Sequence, residues 1–379
     1  MPVASLPKDE RLGAAVTPRP DSFAVIATGG TGGHVYPALA LAGVLASRGH
    51  PPATLRFVGG RRGLEARAAG EAGFAIDTLP GRGFRRALTL ENVVAAWEAV
   101  VAFVGALRIV RRLAPSVAVG FGGYASLPTL VAARVLRIPA VVHEQNAAPG
   151  LANRVAVRLG AVAAISLPDT PIPDAVLTGN PVRPEILAVR RAPEAVHVIG
   201  IVGGSLGART LNDAALDLYE RWRHRDDVSI RHVSGSRDHE ACRRRLDELA
   251  QHDDRLAYEL VAYEDDMPGL YSRASVIVAR AGASTVAEIA AVGVPSVLVP
   301  LPGSPGAHQE RNAAALCERG AAVVVDDSLC TGTRLDTELT ALLADAERMT
   351  AMSAAAASIA HRDAGERLAD LVEEHARAR

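Results

Sequence analysis

From residue 23 onward the chain alternates short, mainly apolar runs with longer stretches whose apolar residues recur at helical spacing. The runs at 23–27, 54–58, 117–120, 140–143, 161–165 and 175–178 are too short for helices, so they predict strands buried on both faces. Helical stretches fall between them, near 36–48, 64–72, 90–113, 126–136 and 150–159. A second cycle starts at 196, with strands at 197–202 and near 229–233, 256–260, 276–279, 296–300 and 322–325. Two such βαβα cycles predict two α/β domains, each built on a parallel sheet covered on both faces. The expected organisation is a disordered tail over 1–22, a first domain over 23–182, a linker over 183–194 and a second domain over 195–350. The stretch 180–193, overlapping that linker, carries Pro181, Pro184 and Pro193 and reads as a hinge. A C-terminal helix is expected over 351–379, packing on either domain, with a return to the first one open.

Composition narrows this picture. A chain of 379 residues exceeds one ordinary core, and 49% hydrophobic with only 4% aromatic residues fits an Ala/Val/Leu-built α/β protein. The formal net charge of −1 argues against nucleic acid as a partner bound by bulk electrostatics. Cys242, Cys317 and Cys330 form no Cys-x-x-Cys pair, which fits a reducing compartment. The apolar stretches 113–133 and 289–307 are broken by proline and glycine and read as strand–turn–helix units, not as membrane spans.

Candidate chemistry sits where strands end. Thr28-Gly29-Gly30-Thr31-Gly32-Gly33-His34 follows the first strand, and Gly203-Gly204-Ser205-Leu206-Gly207-Ala208 follows the first strand of the second cycle. A strand, a glycine turn and a helix start together offer bare backbone N–H groups and a helix dipole to an anion. Ligands of parallel sheets bind beyond the carboxyl ends of the strands. Gly122-Gly123-Tyr124, His143-Glu144-Gln145-Asn146, 282–288 and 303–312 share that position, so a cleft between the domains is the expected site for a phosphorylated ligand. A dinucleotide fingerprint fails, because counting from Gly30 and Gly32 puts Val35 where the third glycine belongs. A Gly-Lys-Ser/Thr phosphate loop is absent, and so is the Asp-x-Asp with which many nucleotide-sugar enzymes hold a divalent ion.

The ordered motifs 29–34, 122–124, 143–146, 179–183, 203–208, 281–288 and 308–313 resemble those of one family. It is the MurG family of N-acetylglucosaminyltransferases, which convert lipid I to lipid II in bacterial cell-wall synthesis. The resemblance implies a GT-B fold: two Rossmann-like, doubly wound parallel-sheet domains facing a cleft. It further implies UDP-N-acetylglucosamine as donor, lipid I on undecaprenyl diphosphate as acceptor, inversion at the sugar, no cofactor and no catalytic metal. The cytoplasmic face of the bacterial membrane becomes the expected location, with cell-wall or division proteins as further candidate partners. Another GT-B glycosyltransferase, a UDP-N-acetylglucosamine 2-epimerase and a nucleotide-sugar-binding scaffold without turnover are the competing readings.

The residues carry matching chemistry. His34 is the candidate general base, since imidazole titrates near working pH; phosphate or acceptor positioning is its other reading. Arg183, the amides of 205–208 and the dipole behind them suit a departing diphosphate, and Glu288 suits a ribose diol. From the family motifs, Thr31, Gly32, Gly33, Asn146, Ser205, Ala283, Ser284, Thr285 and Gln309 are expected at the donor, with Tyr124, Glu144 and His308 as secondary candidates. Glu264 departs from the apolar residue frequent in the family, where the backbone contacts uracil. Residues 81–112 combine Phe84, Trp97 and other apolar positions with Arg82, Arg85, Arg86, Arg108, Arg111 and Arg112. Such a basic amphipathic segment suits an anionic membrane surface, though it equally describes a core helix with a solvated cationic end.

Overall fold

The computed structural model describes residues 22–60, 64–80, 91–192, 196–204 and 207–377. The first sheet comprises β1 (Ala24–Ala27), β2 (Leu55–Gly60), β3 (Ala75–Leu79), β4 (Val117–Gly120), β5 (Ala140–Glu144), β6 (Val162–Ile165) and β7 (Val176–Leu177). The second comprises β8 (His197–Val202), β9 (Val228–Val233), β10 (Ala257–Val261), β11 (Ala274–Ala279), β12 (Ser296–Leu298) and β13 (Ala322–Val324). Every pairing is parallel, in the orders β3-β2-β1-β4-β5-β6-β7 and β10-β9-β8-β11-β12-β13. Both sheets therefore reverse direction of winding between their first and fourth strands. That crevice is where a doubly wound sheet receives ligand.

Helices cover both faces. In the first domain these are α1 (Gly32–Ser47), α2 (Leu64–Glu71), α3 (Glu91–Leu113), α4 (Ser126–Val135) and α5 (Leu151–Arg158). The strands at each centre, β1, β4 and β11, are buried at every position, which explains why their sequences read as unbroken apolar runs. β3 escaped the sequence reading. Ala-Ile-Asp-Thr-Leu has no apolar run, because it lies at the sheet edge and Asp77 pairs with Arg56 (2.7 Å) and Arg112 (2.9 Å).

The link carries the short α6 (Pro184–Leu187), whose Ile186 is fully buried in the second domain's core beside Leu270 and Ile277. Residues 183–192, expected as a linker, are fastened to the second domain; Arg191 adds bonds to the carbonyls of Gly293 (3.1 Å) and Ala274 (2.9 Å). The second domain continues with α7 (Arg209–Trp222), α8 (His239–Leu249), α9 (Met267–Arg273), α10 (Ala283–Val292) and α11 (His308–Cys317).

Three α-helices follow β13; the segment 351–379, expected as one helix, holds the end of the second and the whole of the third. α12 (Gly332–Leu343) and α13 (Ala346–Ser358) stay on the second domain, where Leu335, Leu339 and Met352 join its core. Only α14 (Ala364–His375) crosses back, burying Leu368, Leu371 and Val372 among residues of β1, β4 and α1. Each such side chain stabilises by roughly 1.5–3 kcal/mol, more than the exposed ion pairs of Arg48 with Glu366, Asp370 and Glu373 around them.

Candidate active site

The two sheets turn their carboxyl ends toward one cleft of ≈ 2440 Å³. Three helices, α1, α7 and α10, start at its wall, and none has a side chain capping its N-terminus. Their open N–H groups and dipoles make that wall attractive to anions. The turns reach this arrangement by close approach. Gly123 takes φ +79°, and a Cβ there would run into the carbonyl of Gly29, so the turns after β1 and β4 interlock only as glycines.

His34 stands in the first turn of α1, half-buried on the cleft wall, with Nδ1 3.3 Å from the hydroxyl of Thr31 and its ring against Gly122. Burial lowers its pKa below the usual 6.5; the charge of Glu144 works the other way without overcoming it. The imidazole is thus held neutral at pH 7, as a proton acceptor must be.

Across the cleft, Arg183 donates from Nη2 to Oε1 of Glu288 at 3.1 Å, while the hydroxyl of buried Tyr271 donates to Oε2 at 3.1 Å. Burial pushes the Glu288 carboxyl up, and Arg183 pulls it partly back. The Arg183 guanidinium also lies 4.6 Å from the ring centre of Tyr36 on α1. Tyr36 in turn meets Tyr263, beyond β10, hydroxyl to hydroxyl at 3.1 Å, joining the two domains. Sequence reasoning missed both tyrosines, since Tyr36 sits in an apolar helical run and Tyr263 in a polar loop with no motif of its own.

The loop after β5 is built on Glu144. Its Oε1 accepts from the backbone (3.0 Å) and side chain (3.3 Å) of Asn146, and its Oε2 from Gly150 N (2.8 Å) and Asn153 Nδ2 (2.8 Å). Buried with all these partners, the carboxylate shapes the loop that presents Asn146 to the cleft. His143, fully buried, donates from Nε2 to Gly179 O (2.9 Å) and accepts at Nδ1 from Gln145 (3.0 Å), with burial lowering its pKa to about 4.

Thr31, Gly32, Gly33, Asn146, Arg183, Ala283, Ser284, Thr285 and Glu288 all line the cleft, as do Glu144, Glu264, His308 and Gln309. The Glu264 side chain turns into the protein, accepting from Arg231 (2.7 Å) and from Asp266 N (3.1 Å). The acid in place of an apolar residue is therefore accommodated by an ion pair. Gln309 accepts from Leu301 N (3.0 Å), and His308 Nδ1 donates to Pro305 O (2.9 Å). Tyr124 is not brought to the cleft: its hydroxyl bonds Pro80 O beneath α3, correcting its place among the candidates. Ser205 lies outside the described residues, as do Arg82, Phe84, Arg85 and Arg86. Among the described residues no group of three or more His, Cys, Asp or Glu could hold a metal ion.

On α3 one face is exposed, with Trp97 at 68%, Val100 at 53%, Val101 at 37% and Val104 at 36%, while Ala102, Ala106 and Val110 pack into the core. No helix among the described residues is long and apolar enough to cross a membrane.

Comparison with known proteins accords with this geometry. Residues 24–165 match the glycosyltransferase family 28 N-terminal domain, and residues 198–368 match the glycosyltransferase family 28 C-terminal domain. The chain is 37% identical over 363 residues to the UDP-N-acetylglucosamine–N-acetylmuramyl-(pentapeptide) pyrophosphoryl-undecaprenol N-acetylglucosamine transferase of Desulforudis audaxviator (strain MP104C), covering 92% of this chain and 97% of the relative. Identity to the protein of the same name from Moorella thermoacetica is 39% over 352 residues, covering 88% and 94%. The crystal structure of Acinetobacter baumannii MurG superposes with a TM-score of 0.75 at 30% identity, covering 94% of this chain and 100% of that one. With both domains matched, in the order and around the cleft that the sequence motifs require, the chain belongs to the MurG family of glycosyltransferase family 28.

Proposed function

We infer that this chain transfers N-acetylglucosamine from UDP-N-acetylglucosamine to the N-acetylmuramyl unit of lipid I, giving lipid II for peptidoglycan synthesis. The observation that carries the reading is the cleft itself. A neutral imidazole on one domain faces an Arg–Glu pair and uncapped helix N-termini on the other. In the proposed step the acceptor 4-hydroxyl oxygen forms a bond to the anomeric carbon as the bond from that carbon to the UDP oxygen breaks. His34 takes the hydroxyl proton, and attack from the face opposite UDP inverts the sugar. Charge developing on UDP is met by Arg183 and by the N–H groups that open α7 and α10, fixed before the reaction begins.

Glu288 is assigned to the ribose hydroxyls, Ser284 and Thr285 to the diphosphate beside the start of α10, and Gln309 and Asn146 to the sugar. The backbone at Glu264 is assigned to uracil, its side chain being occupied by Arg231. The exposed face of α3 is assigned to the membrane surface that carries the acceptor, which favours the docking reading of that helix over the core one. Incubation with labelled UDP-N-acetylglucosamine and a short-chain lipid I analogue should release UDP and yield a β-linked disaccharide, with EDTA leaving the rate intact. An α-linked product, a rate restored only by added Mn²⁺, or formation of UDP-N-acetylmannosamine would each defeat the reading.

A further inference from the structure

Asn312 lies on α11 of the second domain, wholly buried, and its side chain spans to the first domain. Its Oδ1 accepts from the backbone N–H of Ala147 at 3.0 Å, and its Nδ2 donates to the carbonyl of Ala281 at 3.1 Å and to Oδ1 of Asn146 at 3.3 Å. The directions of these bonds are forced. The Glu144 carboxylate can only accept, so the amide nitrogen of Asn146 must face it and the Asn146 oxygen must face Asn312. An amide nitrogen of Asn312 is then required there, and the same orientation suits the Ala281 carbonyl and the Ala147 N–H. One side chain thus fixes which way Asn146 points. It also ties the loop 145–150 to the residue that leads into 282–285, the start of α10.

We propose that Asn312 is a positioning residue that registers the acceptor-side loop against the donor segment, so that Asn146 meets the sugar only when the domains are joined through it. Separation of the domains would break the bonds of Asn312 Oδ1 to the Ala147 N–H and of Asn312 Nδ2 to Asn146 Oδ1. Asn312 Nδ2 would keep Ala281 O and Asn146 Nδ2 would keep Glu144; losing two bonds at once favours a joined state over partly joined ones. The inference rests on the transferase reading above.

The test uses Asn312→Asp, which keeps shape and the acceptor for Ala147 but sets carboxylate oxygens against the Ala281 and Asn146 oxygens. Asn312→Ser, too short to reach all three partners, is the second variant should the first fold poorly. Turnover on UDP-N-acetylglucosamine with a soluble lipid I analogue is measured beside UDP affinity by calorimetry. The expected result is a kcat lower by about ten- to a hundredfold, the cost of misplacing a reacting group, with UDP affinity unchanged. The residues assigned to UDP above, Arg183, Glu264, Ser284, Thr285 and Glu288, all belong to the second domain. Combined with Asn146→Ala, the loss should be no greater than that of the worse single variant, since both remove one function. UDP affinity falling in step with kcat, or losses that multiply in the double variant, would overturn the proposal. Absent turnover in the wild-type chain would instead sink the transferase reading.

Discussion

Arg183 and Glu288 pair at 3.1 Å across the mouth of α10, although each carries chemistry suited to a different part of a nucleotide sugar. The guanidinium offsets the charge of the Glu288 carboxylate, which burial would otherwise leave uncompensated. On the proposed assignment, donor binding would exchange this pair, the ribose hydroxyls taking the carboxylate and the guanidinium turning toward phosphate. Glu288→Gln, which keeps shape but loses charge, should raise donor KM by an amount equivalent to about 1.5–3 kcal/mol, the span of a charge-assisted bond. Arg183→Ala should act mainly on kcat, because the charge it meets grows in the transition state. Steady-state kinetics on the two variants separates these; donor KM unchanged in a folded Glu288→Gln protein would remove the ribose assignment.

His34 should set the acid limb of the pH–rate profile. A base must be unprotonated, and burial holds the pKa of His34 below 6.5, so activity should stay level from pH 7 downward and decline only beneath 6.5. His34→Ala should lose roughly 10²–10⁴-fold in kcat, the usual contribution of a general base, while UDP still binds. A profile whose acid limb survives in His34→Ala would assign the titration, and the proton transfer, to another group.

How far these positions could be read beforehand depends on what kind of signal each leaves. β1, β4 and β11 are buried on both faces, so their apolar runs could be found without a structure. β3 needed a partner to be recognised, because Asp77 is tolerable in a strand only with Arg56 and Arg112 beside it. The middle of helix α3, residues 99–107, is apolar at every position, so periodicity there cannot say which side meets the core; only the fold separates Ala102, Ala106 and Val110 from Trp97 and Val104. Asn312 sits within a recognisable motif, yet its work is done on Ala147 and Asn146, more than 160 positions away in the chain. Local patterns mark strands and turns. Contacts between domains leave no local pattern, so the joins at Asn312 and at Tyr36–Tyr263 appear only in three dimensions.

Acid should destabilise the protein through His143. Its pKa is lowered to about 4, so below pH 6.5 the unfolded chain takes up a proton that the folded one refuses. The stability held above pH 6.5 is lost as pH falls toward 4, by roughly 3 kcal/mol for this group, and no further beneath it. The geometry explains the refusal: Nδ1 accepts from Gln145, and a proton there would set two donors face to face. Urea unfolding from pH 7 to 4, wild type against His143→Gln, isolates the group by difference. Parallel curves for the two proteins would show that His143 is not the site.

Membrane binding should depend on the exposed face of α3 and should be loosened, not abolished, by salt. Trp97, Val100, Val101 and Val104 stand out from the surface while the opposite face is committed to the core, so they are available to insert without unfolding anything. Exposed Arg108 and Arg111 lie on the same helix, and each arginine near an anionic surface contributes about 1 kcal/mol. Raising the ionic strength screens that attraction and leaves the apolar insertion in place. Replacing Trp97, Val101 and Val104 by serine should therefore weaken binding to vesicles of phosphatidylglycerol at every salt concentration. Replacing Arg82, Arg85 and Arg86 by glutamate should weaken it most at low salt. Both variants should keep wild-type turnover on a soluble short-chain acceptor, whose use does not require vesicle binding; Trp97, Val101 and Val104 do not line the cleft. If the serine variant sediments with vesicles as well as the wild type does, the docking surface lies elsewhere on the first domain.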